Sequence, residues 1–284
     1  MSRNRLDAGD LVRPFHGVRA RAILGDSLEL RCRALTTRLR PDDAFSGPTA
    51  AGLWGMPLPR AGRGPVPARL HVSSLLPTRA LRRDGVIGTG RRSGHPVDMR
   101  GLPVLSVWDS CRSLATMIGV DDLIRVLDFV LGGDPRRPAL STPADLSSYL
   151  AQHEHHPGVR RLRRAATEAR VGSWSPLETT LRLVLTRAGI PEPELNLRLR
   201  LPDGREVIAD LAWPEFRVAA EYNGAHHDDP AQQIHDLRRI DDFTDIDWTT
   251  VNIERIELLR HPESVVARVS RRLQSRGWSH SPIG

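Results

Sequence analysis

Two carboxylates stand where they could do chemistry together. Asp210 interrupts the otherwise apolar run Val207 to Ala212, and Glu221 lies near the end of the run Phe216 to Tyr222. An unpaired charge at the centre of a strand costs several kcal/mol unless it finds a partner. Trp213-Pro214-Glu215 separates the two runs and predicts a hairpin. With Pro214 and Glu215 as a two-residue loop, Asp210 lies opposite Ala219, and Glu221 is its diagonal neighbour on the same face. Asn223, two residues further on, shares that face because strand side chains alternate with period two. A three-residue loop without a bulge would break the alignment. Carboxylates this close repel one another, and a hard divalent cation with a preference for oxygen ligands removes the penalty. Phosphodiester hydrolysis uses such a cation to activate water and to neutralise charge on the phosphate. The pair therefore points to a Mg2+-dependent hydrolase of a nucleic acid, with Mn2+ able to substitute.

The elements that must position this pair are legible around it. Ser175-Pro176-Leu177-Glu178 opens a helix with a capping residue, a proline at the first helical position and a carboxylate at the third. Leu177, Leu181, Val184, Leu185 and Ala188 form its apolar stripe before Gly189 ends it. Glu178 completes a capping box with Ser175 or serves the site, and the two roles are compatible. Leu195, Leu197, Leu199 and Leu201 alternate with Asn196, Arg198 and Arg200, the pattern of a half-buried strand closed by Pro202-Asp203-Gly204. Glu206 to Ala212 and Phe216 to Tyr222 follow as the second and third strands. Asp229 and Pro230 then start a helix through Ile234, Leu237 and Ile240. Its start sets His226 and His227 beside the carboxylates, and its length carries His235, Asp236, Arg238 and Arg239. Arg198, Arg200, Arg238 and Arg239 are the candidates for gripping a phosphate backbone.

The order Glu178, Asp210, Glu221-Tyr222-Asn223-Gly224-Ala225-His226-His227, Asp236-Leu237-Arg238-Arg239 resembles the Vsr-like (very short patch repair endonuclease-like) domain of the PD-(D/E)XK restriction-endonuclease-like superfamily, over roughly residues 175 to 273. The resemblance implies a mixed sheet carrying the metal ligands, with helices packed on both faces. By position it makes Asp210 and Glu221 metal ligands, the Tyr222 carbonyl a third, and Glu178 an outer ligand or water-orienting group. It also makes His227 a proton-transfer or phosphate-contact residue, with Asp236 and Arg239 in support. Asn223 stands where the superfamily's usual lysine would be, and Asn252 where an arginine is common.

The first half is less specific. Phe45-Ser46-Gly47-Pro48-Thr49-Ala50-Ala51-Gly52-Leu53-Trp54-Gly55-Met56-Pro57-Leu58-Pro59, then Leu70-His71-Val72 and Gly101-Leu102-Pro103-Val104-Leu105-Ser106, is similar to the AbiEi-type antitoxin-like domain. The segment Leu6 to Val18 resembles only the last part and wing of that family's winged-helix start, and Leu6 to Ala22 reads as a short hairpin. Thr49 to Gly55, Asp109 to Ala115 and Val120 to Leu131 read as helices, the last with Leu123, Val126, Leu127 and Val130 on one face. The expected organisation is a smaller α+β domain over 1–134, a connector over 135–172, and the endonuclease-like domain over 173–284. The connector's arginines (Arg160, Arg161, Arg163, Arg164 and Arg170) read as a solvated helix face, with phosphate contact the sharper alternative. His153, His155 and His156 read as exposed.

Composition narrows the choice of chemistry. The chain has 284 residues, a formal charge of +7, and arginine in all 41 of its basic positions. Without lysine there is neither a Schiff base nor a phosphate-loop ammonium, while the positive balance suits a polyanion. Cys32 and Cys111 lack metal-ligand spacing and read as core residues. The polar start and the lack of a long apolar run lead us to expect a cytoplasmic protein without a membrane span. Three functions fit: an endonuclease or nickase acting on double-stranded DNA in defence or repair, a catalytically decayed antitoxin-like DNA-binding regulator, and a toxin-type RNA nuclease. A toxin-antitoxin or defence partner is compatible with each.

Overall fold

The computed structural model describes residues 11–12, 20–21, 27–59, 69–75, 79–90, 93–223 and 230–279. The fold is α+β and divides into two units, residues 1–130 with 140–169, and residues 131–139 with 170–284. Among the described residues no helix is long and apolar enough to cross a membrane.

The first unit begins with the strands β1 (Leu11–Val12) and β2 (Ala20–Arg21), paired antiparallel as the expected hairpin requires. It continues through α1 (Leu28–Thr36), β3 (Asp43–Phe45), α2 (Gly47–Leu53), β4 (Leu70–Ser74), β5 (Val86–Thr89), β6 (Pro96–Met99) and β7 (Leu102–Leu105). These strands form a mixed sheet in the order β5-β4-β3-β7-β6. Next come α3 (Val107–Leu114) and α4 (Val120–Gly132), whose Leu123, Ile124, Val126, Leu127 and Val130 are all fully buried. Cys32 and Cys111 are free thiols in the core.

The stretch expected as a connector is largely structure. Residues 140–169 belong to the first unit and form α5 (Pro143–Gln152) and α6 (Val159–Glu168). Leu146, Tyr149, Leu150, Val159, Leu162 and Ala165 are buried, at the helical spacing that the surrounding prolines and arginines disguised. Tyr149 ties α5 to α3: its hydroxyl donates to Asp109 Oδ1 at 2.7 Å and accepts from Arg112 Nε at 2.7 Å. His153 stacks on the Tyr149 ring with centroids 4.1 Å apart, so it and His156 are half-buried and only His155 is exposed.

The second unit runs α7 (Pro176–Arg187), β8 (Glu194–Arg200), β9 (Glu206–Trp213), a single 3-10 turn (Pro214–Phe216), β10 (Val218–Asn223), α8 (Pro230–Asp245), β11 (Thr249–Glu254), α9 (Arg255–Arg260) and α10 (Pro262–Gln274). Gly189 follows α7 at φ +86, the left-handed exit that glycine makes cheaply. The sheet order is β11-β10-β9-β8. β8, β9 and β10 form an antiparallel meander, and β11 joins β10 in parallel after the crossover through α8.

Alternate residues of β10 enter two cores. Val218 and Ala220 pack with Leu211, Trp213, Val251, Ile253, the α7 residues Leu181 and Leu185, and the α10 residues Val265, Val269 and Leu273. Ala219 packs with Ala212 and with Phe243 of α8. The β9–β10 connection is longer than the two-residue loop expected. Trp213 pairs with Val218, and Arg217 completes the turn at φ +50. The expected pairing of Asp210 with Ala219 is therefore displaced by two residues. A slip of two preserves the face, because side chains repeat with that period, so the carboxylates still meet.

Candidate functional site

A row of polar side chains crosses the sheet of the second unit. Glu221 pairs with Asn252 between β10 and β11. One step beyond the paired residues Ala220 and Leu211, Asp210 comes level with Glu221. Asn196 lies between the pairs Leu195–Leu211 and Leu197–Ala209, level with Asp210 on the other side.

At this row the β9–β10 ladder gives way to side chains. The Asp210 amide donates to Glu221 Oε1 at 3.2 Å, and the Tyr222 amide donates to Asp210 Oδ2 at 2.8 Å. Backbone amides removed from water require an acceptor, and here each strand's carboxylate serves the neighbouring strand's amide. Arg239 closes the arrangement from α8. Its Nε donates to Glu221 Oε2 at 2.6 Å, and its terminal nitrogen bonds the same oxygen and the Ile208 carbonyl. Its guanidinium carbon lies 5.8 Å from the centroid of the Phe243 ring.

Glu178 reaches the row from the first turn of α7. Its amide donates to Ser175 Oγ at 3.2 Å, which is half of the expected capping box. Its carboxylate does not return to the Ser175 amide. Oε2 instead accepts from the Trp174 amide at 2.9 Å and from Asn196 Nδ2 at 2.8 Å. Asn196 also donates to the Gly172 carbonyl at 2.8 Å. Its φ of +50 places it in the left-handed region, where asparagine is one of the few side chains at ease. Its Oδ1 is buried and has no hydrogen-bond partner among the described residues.

Burial raises the proton affinity of all three acids. Glu178 is raised first by desolvation and then by the charge of Asp210, against the Trp174 amide. Asp210 is raised by desolvation, against the Tyr222 amide and Arg239. Glu221, 4% exposed, is pushed up to about 7 by desolvation and by Asp210, with Arg239 opposing. Among the described residues one guanidinium thus bonds directly to this group of three acids.

The donor set fits a hard divalent cation in kind, since Asp210 and Glu221 offer carboxylate oxygens whose mutual repulsion an added positive charge would relieve. Among the described residues no three His, Cys, Asp or Glu side chains have the spacing of a metal cluster. Arg239 already shares Glu221.

Of the residues singled out in the sequence, Glu178, Asp210, Glu221 and Arg239 come together, and Tyr222 contributes its amide. Asn223 ends β10 opposite Glu254, and Asp236 lies within α8. His227 falls outside the described residues. Arg198 is exposed and pairs with Glu206 at 3.2 Å, while Arg200 and Arg238 are exposed. Arg239, expected both in support of the site and at a phosphate backbone, bonds Glu221, because a buried carboxylate is its strongest available partner. Asn196 was read as one of the outward residues of an alternating strand. It is 9% exposed. Its one signal in the sequence is that an uncharged amide breaks a set of arginines on the polar side.

No family model and no solved structure matches the chain. Two uncharacterized proteins of Mycobacterium tuberculosis, one from strain CDC 1551 / Oshkosh and one from strain ATCC 25618 / H37Rv, are each 30% identical to it over 131 residues, covering 46% of this chain and 48% of theirs. The chain thus spans about half the length of the curated relatives it matches.

Proposed function

We propose that the second unit is a Mg2+- or Mn2+-dependent nuclease that hydrolyses phosphodiester bonds in DNA, in the setting of defence against foreign DNA or of repair. The observation that carries this reading is the facing pair Asp210 and Glu221: two carboxylates on neighbouring strands, both held toward their protonated forms, with a third acid, Glu178, beside Asp210. Neighbouring buried acids with proton affinities this perturbed cluster where a ligand or a reaction uses them.

Asp210 and Glu221 are the residues that would hold the cation, which when bound supplies the charge that acidifies water and offsets the developing charge on phosphate. Glu178, fixed by Trp174 and Asn196, orients water. Arg198, Arg200 and Arg238 are exposed to meet the backbone, and His227 is the candidate for proton transfer.

One observation favours a second reading, a non-catalytic DNA-binding regulator. Arg239 supplies the positive charge at Glu221 from within the chain, and Asn223 and Asn252 stand where charged residues would assist cleavage. Supercoiled plasmid incubated with the purified full chain and Mg2+ or Mn2+, beside Asp210→Ala and Glu221→Ala, separates the two. Nicking or linearisation that both substitutions abolish is expected. No cleavage of DNA, or of RNA tested in parallel, together with unaltered DNA binding by the variants, supports the regulator.

A further inference from the structure

In the first unit, helix α6 carries a concentration of charge that its own fold does not account for. Val159, Leu162 and Ala165 are fully buried and explain why the helix packs. Arg160, Arg161, Arg163 and Arg164 are all exposed. Arg160 and Arg164 are four residues apart on the helix surface, as like charges that repel. Arg160 and Arg161 occupy the first turn, where the helix dipole disfavours cations, and no acidic residue stands there to offset them. The N-cap residue, Gly158, contributes no side-chain bond. Arg163 finds only the exposed Glu154, at 3.7 Å, and Arg161 bonds the Ile118 carbonyl at 2.6 Å. Arg160 and Arg164 have no ion-pair partner among the described residues. Arg160, Arg161 and Arg164 share one groove with Val120 of α4.

We infer that this groove is a docking surface for the phosphate backbone of a nucleic acid. The helix dipole at Arg160 and Arg161 and the like charge between Arg160 and Arg164 both oppose this arrangement, and a polyanion laid across the groove would offset both. Guanidinium groups bind phosphate oxygens in bidentate fashion, and their spacing along one helix face suits a repeated anion rather than a single carboxylate. An anionic membrane is the less suitable partner. A helix that lies on lipid inserts an apolar face, whereas the apolar residues of α6 are consumed by the core and Val120 alone lines the groove with the arginines. The inference rests on the proposed function only for the choice of nucleic acid as the polyanion.

The test is binding of the full chain to a 30-base-pair duplex, in EDTA so that cleavage does not intervene, over a series of salt concentrations. Arg160→Gln/Arg164→Gln is compared with wild type, and single-stranded RNA and phosphatidylserine vesicles serve as parallel probes. Each phosphate contact contributes about 0.9 to the slope of log affinity against log salt, so the double variant is expected to lose nearly two from the duplex slope and to bind about tenfold more weakly at low salt. The same loss with RNA identifies RNA as the backbone. An unchanged slope and affinity for both nucleic acids overturns the inference, as does a loss confined to vesicles. Because Gln keeps the stem as far as Cδ on an exposed face and removes the charge, an unaltered melting temperature in the variant shows that a loss of binding is not misfolding. If the variant loses binding while wild type never cleaves, the nuclease reading fails and this inference stands. Cleavage with binding indifferent to Arg160 and Arg164 gives the reverse.

Discussion

Asn196 donates its side-chain amide to Glu178 Oε2 at 2.8 Å from a strand position held in left-handed conformation. The carboxylate of α7 is thereby fixed to the edge strand β8, one strand away from Asp210. The unusual backbone, the buried amide and the helix carboxylate form one device. Glu178 is oriented by a residue that only an αL-tolerant side chain could be.

Substitutions at Asn196 should separate backbone strain from hydrogen bonding. Asn196→Gly removes the bonds to Glu178 and Gly172 without strain. Asn196→Ala removes them and adds about 1–2 kcal/mol for a side chain in the left-handed region. Chemical denaturation should rank stability as wild type, then Gly, then Ala, with Ala lower than wild type by about 2–4 kcal/mol. An Ala variant as stable as the Gly variant would show that the backbone relaxes freely.

Stability should fall as pH rises toward neutrality. Glu221 is raised to about 7 by burial and by Asp210, so through the weakly acidic range the folded chain keeps a proton that the unfolded chain has released. The contribution is fully present below the ordinary glutamate range, is lost as pH rises through about 7, and is flat beyond. Each pKa unit of difference is worth about 1.4 kcal/mol. Thermal melts across this range should show a declining midpoint, and Glu221→Gln should flatten the decline. A midpoint that rises over the same interval contradicts the protonation assigned to this pair.

Asp210→Asn should stabilise the protein near neutral pH. The Asn side-chain oxygen can still accept from the Tyr222 amide, while the charge that raises both Glu178 and Glu221 is gone. A gain of about 1 kcal/mol is expected, together with loss of any metal-dependent cleavage. A destabilised Asp210→Asn would mark Asp210 as a structural acid.

Arg239→Gln should cost about 1–3 kcal/mol, since it leaves Glu221 buried without its cation. Under the proposed function Arg239 competes with the metal for Glu221. Mn2+ should therefore raise the melting midpoint of Arg239→Gln more than that of wild type, and Asp210→Asn should abolish the shift. Equal shifts in all three proteins would assign the Mn2+ effect to another part of the chain.

Much of the second unit is legible in its local sequence. Ser175, Pro176 and Gly189 delimit α7, and alternation sets the strands of the meander. Asp210 and Glu221 stay on one face under a slip of two residues in the hairpin register. That tolerance comes from the period of a strand, so the pairing survives the wrong loop length. In the first unit the same logic located α3 and α4 and read the arginines of α6 as a helix face, but it missed α5 and the place of both helices in the first unit's core. Their buried positions are few, and the prolines and arginines between them dominate the composition.

Tertiary structure decided the rest. Arg239 turns inward to Glu221 because α8 crosses over that end of the sheet, and a run of basic residues does not announce which one will find a buried acid. Asn196 is buried because its backbone leaves the strand region at one residue, and alternation has no means to signal such a reversal. The sequence by itself determined which acids share a face. The packing of α7 and α8 decided how far each is removed from water, and desolvation is what raises all three toward their protonated forms.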